Sequence, residues 1–126
     1  MNKILIVGAR VWDASGSAAF DGDVLIEGNR IRTVSRVSGQ LPQAGCQVVD
    51  AKGLTLMPGL VEGHAHLSFE NVTATEDLIS PPPEEHTLLT ARVAKVLLDH
   101  GFTSAYGASA AKLRLDVAVR NEVNTR

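Results

Sequence analysis

A single cysteine, Cys46, stands in 126 residues, so no intrachain disulfide can form and a disulfide-built secreted scaffold is excluded. The lone thiol reads as a small apolar residue. No run of lysine and arginine occurs. The 12 basic and 14 acidic residues give a formal net charge of −2, so the electrostatic footprint of a nucleic-acid binder is missing. Long apolar runs are missing as well. The stretch after Lys3, Ile4-Leu5-Ile6-Val7, falls short of the roughly seven residues of a secretory signal core. Nothing approaches the ~20 apolar residues of a membrane span. The expectation is a cytoplasmic setting, with neither nucleic acid nor membrane as partner. Gly8 follows the first apolar run without the further glycines of a dinucleotide-binding turn.

The residues present, 44% hydrophobic and 21% charged, are those of a globular chain. Ile4 to Val7, Val24 to Glu27 and Ile31 to Val37 are rich in β-branched residues and read as strands. Glu27-Gly28-Asn29-Arg30 reads as a tight hairpin, because Gly and Asn accept positive φ. Ser38 to Gly45 is a loop, and Val48-Val49-Asp50 and Leu54-Thr55-Leu56 flank an Ala51-Lys52-Gly53 turn. Residues 1–56 therefore form a small all-β domain. Trp12 is expected to pack in a core or between domains.

The pattern changes at Met57-Pro58-Gly59. Gly59 to Leu67 reads as a strand buried on both faces, and Phe69 to Ser80 as a polar loop. Glu84-Glu85 after three prolines opens a helix, with Leu89, Val93, Val96, Leu97 and His100 on one face and Arg92, Lys95 and Asp99 on the other. His86 and His100 belong to this helix, and Gly101 stops it. Phe102 to Tyr106 is a second strand, and Leu113 to Val123 a second helix. Strand–helix–strand–helix order implies parallel strands with crossover helices. The 70 residues from Met57 to Arg126 hold two βα units, whereas a (β/α)8 barrel takes on the order of 250. The chain is expected to be the beginning of something larger.

The chemistry-bearing feature is His64-Ala65-His66. Side chains two apart on a strand share a face, so both imidazoles can approach one metal ion. Glu62 has the same parity and is a candidate to orient an imidazole. Tyr106 ends the second strand, where barrel active sites form, and is a candidate pocket residue.

The segment Leu54-Thr55-Leu56-Met57-Pro58-Gly59-Leu60-Val61-Glu62-Gly63-His64-Ala65-His66-Leu67 resembles the first barrel strand of the metal-dependent amidohydrolase superfamily. Asp23 to Ile31 resembles that family's N-terminal hairpin, and His100-Gly101-Phe102-Thr103-Ser104 the start of its second barrel strand. The branch most similar holds imidazolonepropionase-like enzymes and Xaa-Pro or Xaa-Arg/Lys dipeptidases. The resemblance implies an α/β fold: the N-terminal part of a composite β-sandwich (residues 1–56), then the first two βα units of a TIM-type (β/α)8 barrel (residues 57–126). It implies that His64 and His66 bind the more buried of one or two metal ions, usually zinc, with other divalent metals possible. Further ligands and the general base would lie on later strands that these residues do not include. The family commonly has Asp where Glu62 stands, and many relatives carry Arg-Asp where this chain has Tyr106-Gly107.

The implied activity is hydrolysis of an amide or peptide-like C–N bond, in a dipeptide or N-acyl amino acid, by a metal-activated water. The other readings are a deaminase or cyclic-amide hydrolase of the same superfamily, and a catalytically incompetent piece that only assembles or interacts. The 126 residues alone are not expected to be competent. The implied partners are a small-molecule amide or dipeptide and the remainder of a barrel or a homo-oligomer partner.

Overall fold

The structure, a computed structural model, describes residues 2–125. The chain divides into two compact units, residues 1–58 and 59–126. Among the described residues no helix is long and apolar enough to cross a membrane.

The first unit is a five-stranded sheet of β1 (Lys3–Val11), β2 (Phe20–Glu27), β3 (Arg30–Ser35), β4 (Gln47–Asp50) and β5 (Thr55–Leu56). β1 is central. It pairs antiparallel with β2 on one side and parallel with β4 and then β5 on the other. The β2–β3 hairpin turns at Gly28 and Asn29, as the Gly-Asn pair predicts, with Gly28 at φ +61°. Ile6 faces Val24 and Ala9 faces Gly22, so β1 spends one residue more than β2 over the same span. Gly8, at φ +69°, absorbs this bulge.

Ala9, Val11, Val24 and Ala51 form the core of this unit, with Ile6, Phe20, Ile26 and Leu56 packed on it. Beside them lies a buried carboxylate. Asp23 accepts hydrogen bonds from Gly8 N–H at 2.8 Å, Ser38 Oγ at 2.9 Å and Gly39 N–H at 2.6 Å. One side chain thus ties the bulge of β1 to the loop after β3. Burial pushes its carboxyl up, but the three donors outweigh burial and hold it below the ordinary carboxylate value.

One expectation fails here, and half of another. The third strand stops at Ser35 rather than Val37, because the Ser35 hydroxyl accepts from Val37 N–H and donates to Val37 O, turning the chain off the ladder. Trp12 is not a core residue. It is 42% exposed and lines an open apolar groove of about 450 Å³ with Phe20, Ile31, Val34 and Arg36, whose guanidinium sits over the Phe20 ring.

The second unit runs β6 (Leu60–Ala65), α1 (Thr75–Ile79), α2 (Pro83–Asp99), β7 (Phe102–Gly107) and α3 (Leu115–Asn124). β6 and β7 are parallel, with α2 as the crossover. Gly101, at φ +91°, ends α2, and its carbonyl receives Leu60 N–H at 2.8 Å. Gly59 lies so close to the Thr103 side chain that any Cβ there would collide with it.

The polar stretch read as a loop contains α1. Asp77 makes this turn possible: its carboxylate accepts from the N–H groups of Thr73 and Ala74 and from the Thr73 hydroxyl. The β6 strand is not buried on both faces. Val61 is 67% exposed and only Ala65 is buried, because β6 has a single strand neighbour among the described residues. The buried stripe of α2 also departs from expectation. His86 and Thr90 are its fully buried residues, while Val96 and His100 are exposed.

Candidate metal centre

His64 lies near the end of β6 and His66 just beyond it, while a register shift against β7 between Glu62 and Ala65 interrupts the strand alternation that would carry Glu62 to the same side. The two imidazole rings lie 5.0 Å apart, centroid to centroid, nearly edge to face at 69°. After His66 the chain folds back, with Phe69 N–H donating to His66 O at 3.0 Å. This turn lays the Phe69 ring against the His66 ring, at 4.6 Å and 23°. His66 Nδ1 is buried and has no hydrogen-bond partner. A buried polar atom left unpaired costs about 1–3 kcal/mol, so the position calls for a partner.

Two neighbouring imidazoles, one with an orphaned nitrogen, fit a metal that favours nitrogen donors, such as zinc. Two donors are an incomplete set, since a catalytic zinc takes three protein ligands and water. Among the described residues, no group of three His, Cys, Asp or Glu side chains is arranged to hold a metal ion.

Glu62 is placed beside the histidines, but its Oε1 accepts from the backbone N–H of His64 at 3.0 Å. It therefore braces the strand under the first imidazole. Tyr106 is 73% exposed near the C-terminal end of β7, on a groove of about 550 Å³ that Leu67, Leu97, Phe102, Asp116 and Val119 also line. The groove does not include the histidines. His100 stays outside the site, its ring Nδ1 2.7 Å from Val96 O near the end of α2.

Sequence reasoning overlooked a second polar cluster behind the first. His86 is 1% exposed, with Nε2 2.8 Å from Ser68 O and Nδ1 2.9 Å from Lys112 Nζ. Lys112 Nζ also donates to Leu78 O at 2.6 Å, and the buried Ser68 hydroxyl receives Ala111 N–H at 2.8 Å. A signal was available: His86, Thr90, Val93 and Leu97 recur at helical spacing, which places a histidine on the inward stripe of α2.

No protein-family model matches the chain. It is 34% identical over 78 residues to a dihydroorotase of Trichlorobacter lovleyi, covering 62% of this chain and 18% of that one. It is 46% identical over 67 residues to a 5'-deoxyadenosine deaminase of Methanothermobacter thermautotrophicus, covering 53% and 15%. Its fold superposes on a prolidase solved with N-methylphosphonate-L-proline at a TM-score of 0.77 and 26% identity, covering 97% of this chain and 29% of that one. The chain thus spans less than a fifth of the length of these two curated relatives. In sequence and in fold, and in its Pro58-Gly59 to His66 motif, this chain is similar to the N-terminal portion of amidohydrolase-superfamily enzymes.

Proposed function

We propose that His64 and His66 are two of the ligands of a metal-dependent hydrolase, and that its substrate is an amide or peptide-like C–N bond in a small molecule. The observation that carries this reading is the buried, unpartnered His66 Nδ1 beside a second imidazole. The chemistry a divalent ion such as zinc supplies when bound is Lewis acidity toward a carbonyl oxygen and toward water. The chain's own residues set the stage for it. His64 and His66 present imidazole nitrogen, Glu62 fixes the backbone beneath His64, and Phe69 sets the plane of the His66 ring. In this reading β6 and β7 are the first two strands of a (β/α)8 barrel, and the remaining ligands and the general base come from later strands.

The prolidase likeness favours a dipeptide or N-acyl amino acid as substrate. The dihydroorotase and deaminase matches favour a second reading, cyclic-amide hydrolysis or deamination at the same centre. A panel of Xaa-Pro dipeptides, N-acyl amino acids, a dihydropyrimidine and adenosine nucleosides, offered to the zinc-loaded full-length protein, separates the two. Replacing both His64 and His66 with alanine should remove bound metal, read by elemental analysis, and abolish turnover. Stoichiometric zinc and full activity in that double variant would overturn the assignment.

A further inference from the structure

We propose that His86 and Lys112 are positioning residues for the histidine-bearing end of β6, acting through the turn that seats Phe69 against His66. The proposal rests on His66 being a metal ligand.

Lys112 carries an ammonium, which donates and cannot accept, so His86 Nδ1 is the acceptor in their 2.9 Å contact. The ring proton is then on Nε2, where it donates to Ser68 O at 2.8 Å. Lys112 is itself anchored by Leu78 O at 2.6 Å. The Thr90 hydroxyl, one turn further along α2, donates to His86 O at 2.7 Å. A chain of bonds thus runs from the 112 loop through an α2 side chain into the backbone of residue 68.

Ser68 sits midway in the turn that begins at His66 and returns at Phe69. Its carbonyl is held by His86, and its hydroxyl by the N–H of Ala111. Just upstream, Ala108 N–H donates to Ala65 O at 2.9 Å. The segment 65–69 is therefore gripped from α2 and from the loop after β7. Among the described residues, His66 Nδ1 is the buried side-chain nitrogen left without a hydrogen-bond partner. A half-buried lysine paired with a buried imidazole is a costly way to close a turn, and packed apolar side chains would do it more cheaply. Directional bonds fix what apolar packing leaves loose, namely the rotation of the 66–69 turn and so of the His66 ring plane. Groups hydrogen-bonded directly to metal-binding histidines fix the ring in this way, and removing them lowers metal affinity about 10- to 100-fold; His86 and Lys112 act one step further back, through Ser68, so the low end of that range is expected.

The test uses the full-length protein, with zinc affinity read by competition against a chromophoric chelator and ligand geometry read from the visible bands of bound Co2+. Lys112→Met should weaken zinc binding about tenfold and alter the cobalt bands. Lys112→Arg, which can still donate to both Leu78 O and His86 Nδ1, should restore both readouts. His86→Ala should do at least as much damage as Lys112→Met, and if it fails to fold, the half-buried Lys112 carries the test. The His64→Ala/His66→Ala double variant tests the underlying reading. If that variant loses zinc while Lys112→Met and His86→Ala match the parent in affinity and cobalt spectrum, the positioning role is wrong and the ligand assignment stands. If the double variant binds zinc like the parent, both fall.

Discussion

In residues 1–58 the buried side chains are apolar, Leu5, Ala9, Val11, Val24 and Ala51, with Asp23 as the charged exception; in residues 59–126 they are mainly polar, Ser68, His86 and Thr90 beside Ala65 and Leu115. The first unit gives its central strand neighbours on both sides and closes a small core around it. The second leaves Leu60 and Val61 at the surface of a two-stranded sheet and orders its loops with hydrogen bonds. The contrast teaches that a unit short of apolar burial can still hold a turn firmly, provided its polar groups are paired one to one. The same contrast separates their duties, since the candidate ligands and the cluster behind them all lie in the second unit.

The sharpest way to break this comparison is Asp23→Ala. It strands Gly8 N–H, Gly39 N–H and the Ser38 hydroxyl around a cavity. The expected loss is about 4.5 kcal/mol, read from urea unfolding, the low end for three bonds to an ionised acceptor at about 1.5–3 kcal/mol each. A loss below about 1 kcal/mol would mean that apolar packing alone holds the first unit. Acid probes the same group. Its folded value is lowered, so its stabilisation is complete above the unfolded carboxylate value of about 3.9 and disappears as pH falls through the lower folded value. Asp23→Asn should therefore lower stability at neutral pH and flatten the acid limb of the stability profile. An unchanged acid limb would assign that limb to other carboxylates.

A smaller effect is expected from Gly22→Ala, whose methyl group would collide with the Ser35 carbonyl. Forcing β2 and the end of β3 apart should cost about 2 kcal/mol in the same urea experiment. In the second unit, Lys95→Ala removes an exposed i,i+4 pair with Asp99. A change of about 0.4 kcal/mol in helix stability by circular dichroism is expected. A loss of 2 kcal/mol there would show that surface charge, rather than the buried cluster, organises this unit.

Much of the first unit was legible because its signals are local. Gly28-Asn29 announces the hairpin, and β-branched runs announce the strands. The α2 helix was legible from its prolines, acidic first turn and terminal Gly101. What was hidden depends on partners distant in sequence. The burial of His86 is set by Ser68, 18 residues before it, and by Lys112, 26 residues after it. The α1 turn was hidden because its cap comes from inside the helix, where Asp77 reaches back to Thr73 and Ala74. The exposure of Val61 was misread because an apolar strand announces that it needs cover, not whether cover is supplied. The histidine pair was legible from its spacing, whereas the unpaired nitrogen of His66 and the stacking of Phe69 required coordinates.

Trp12 is the only tryptophan in the sequence, and it lies at the half-open groove of the first unit. Its fluorescence is therefore an optical label placed in that unit. Helical ellipticity near 222 nm comes from the other unit, because α1, α2 and α3 all lie there. A single denaturation run recorded in both channels would time the two units independently, without attaching a dye or separating the chain.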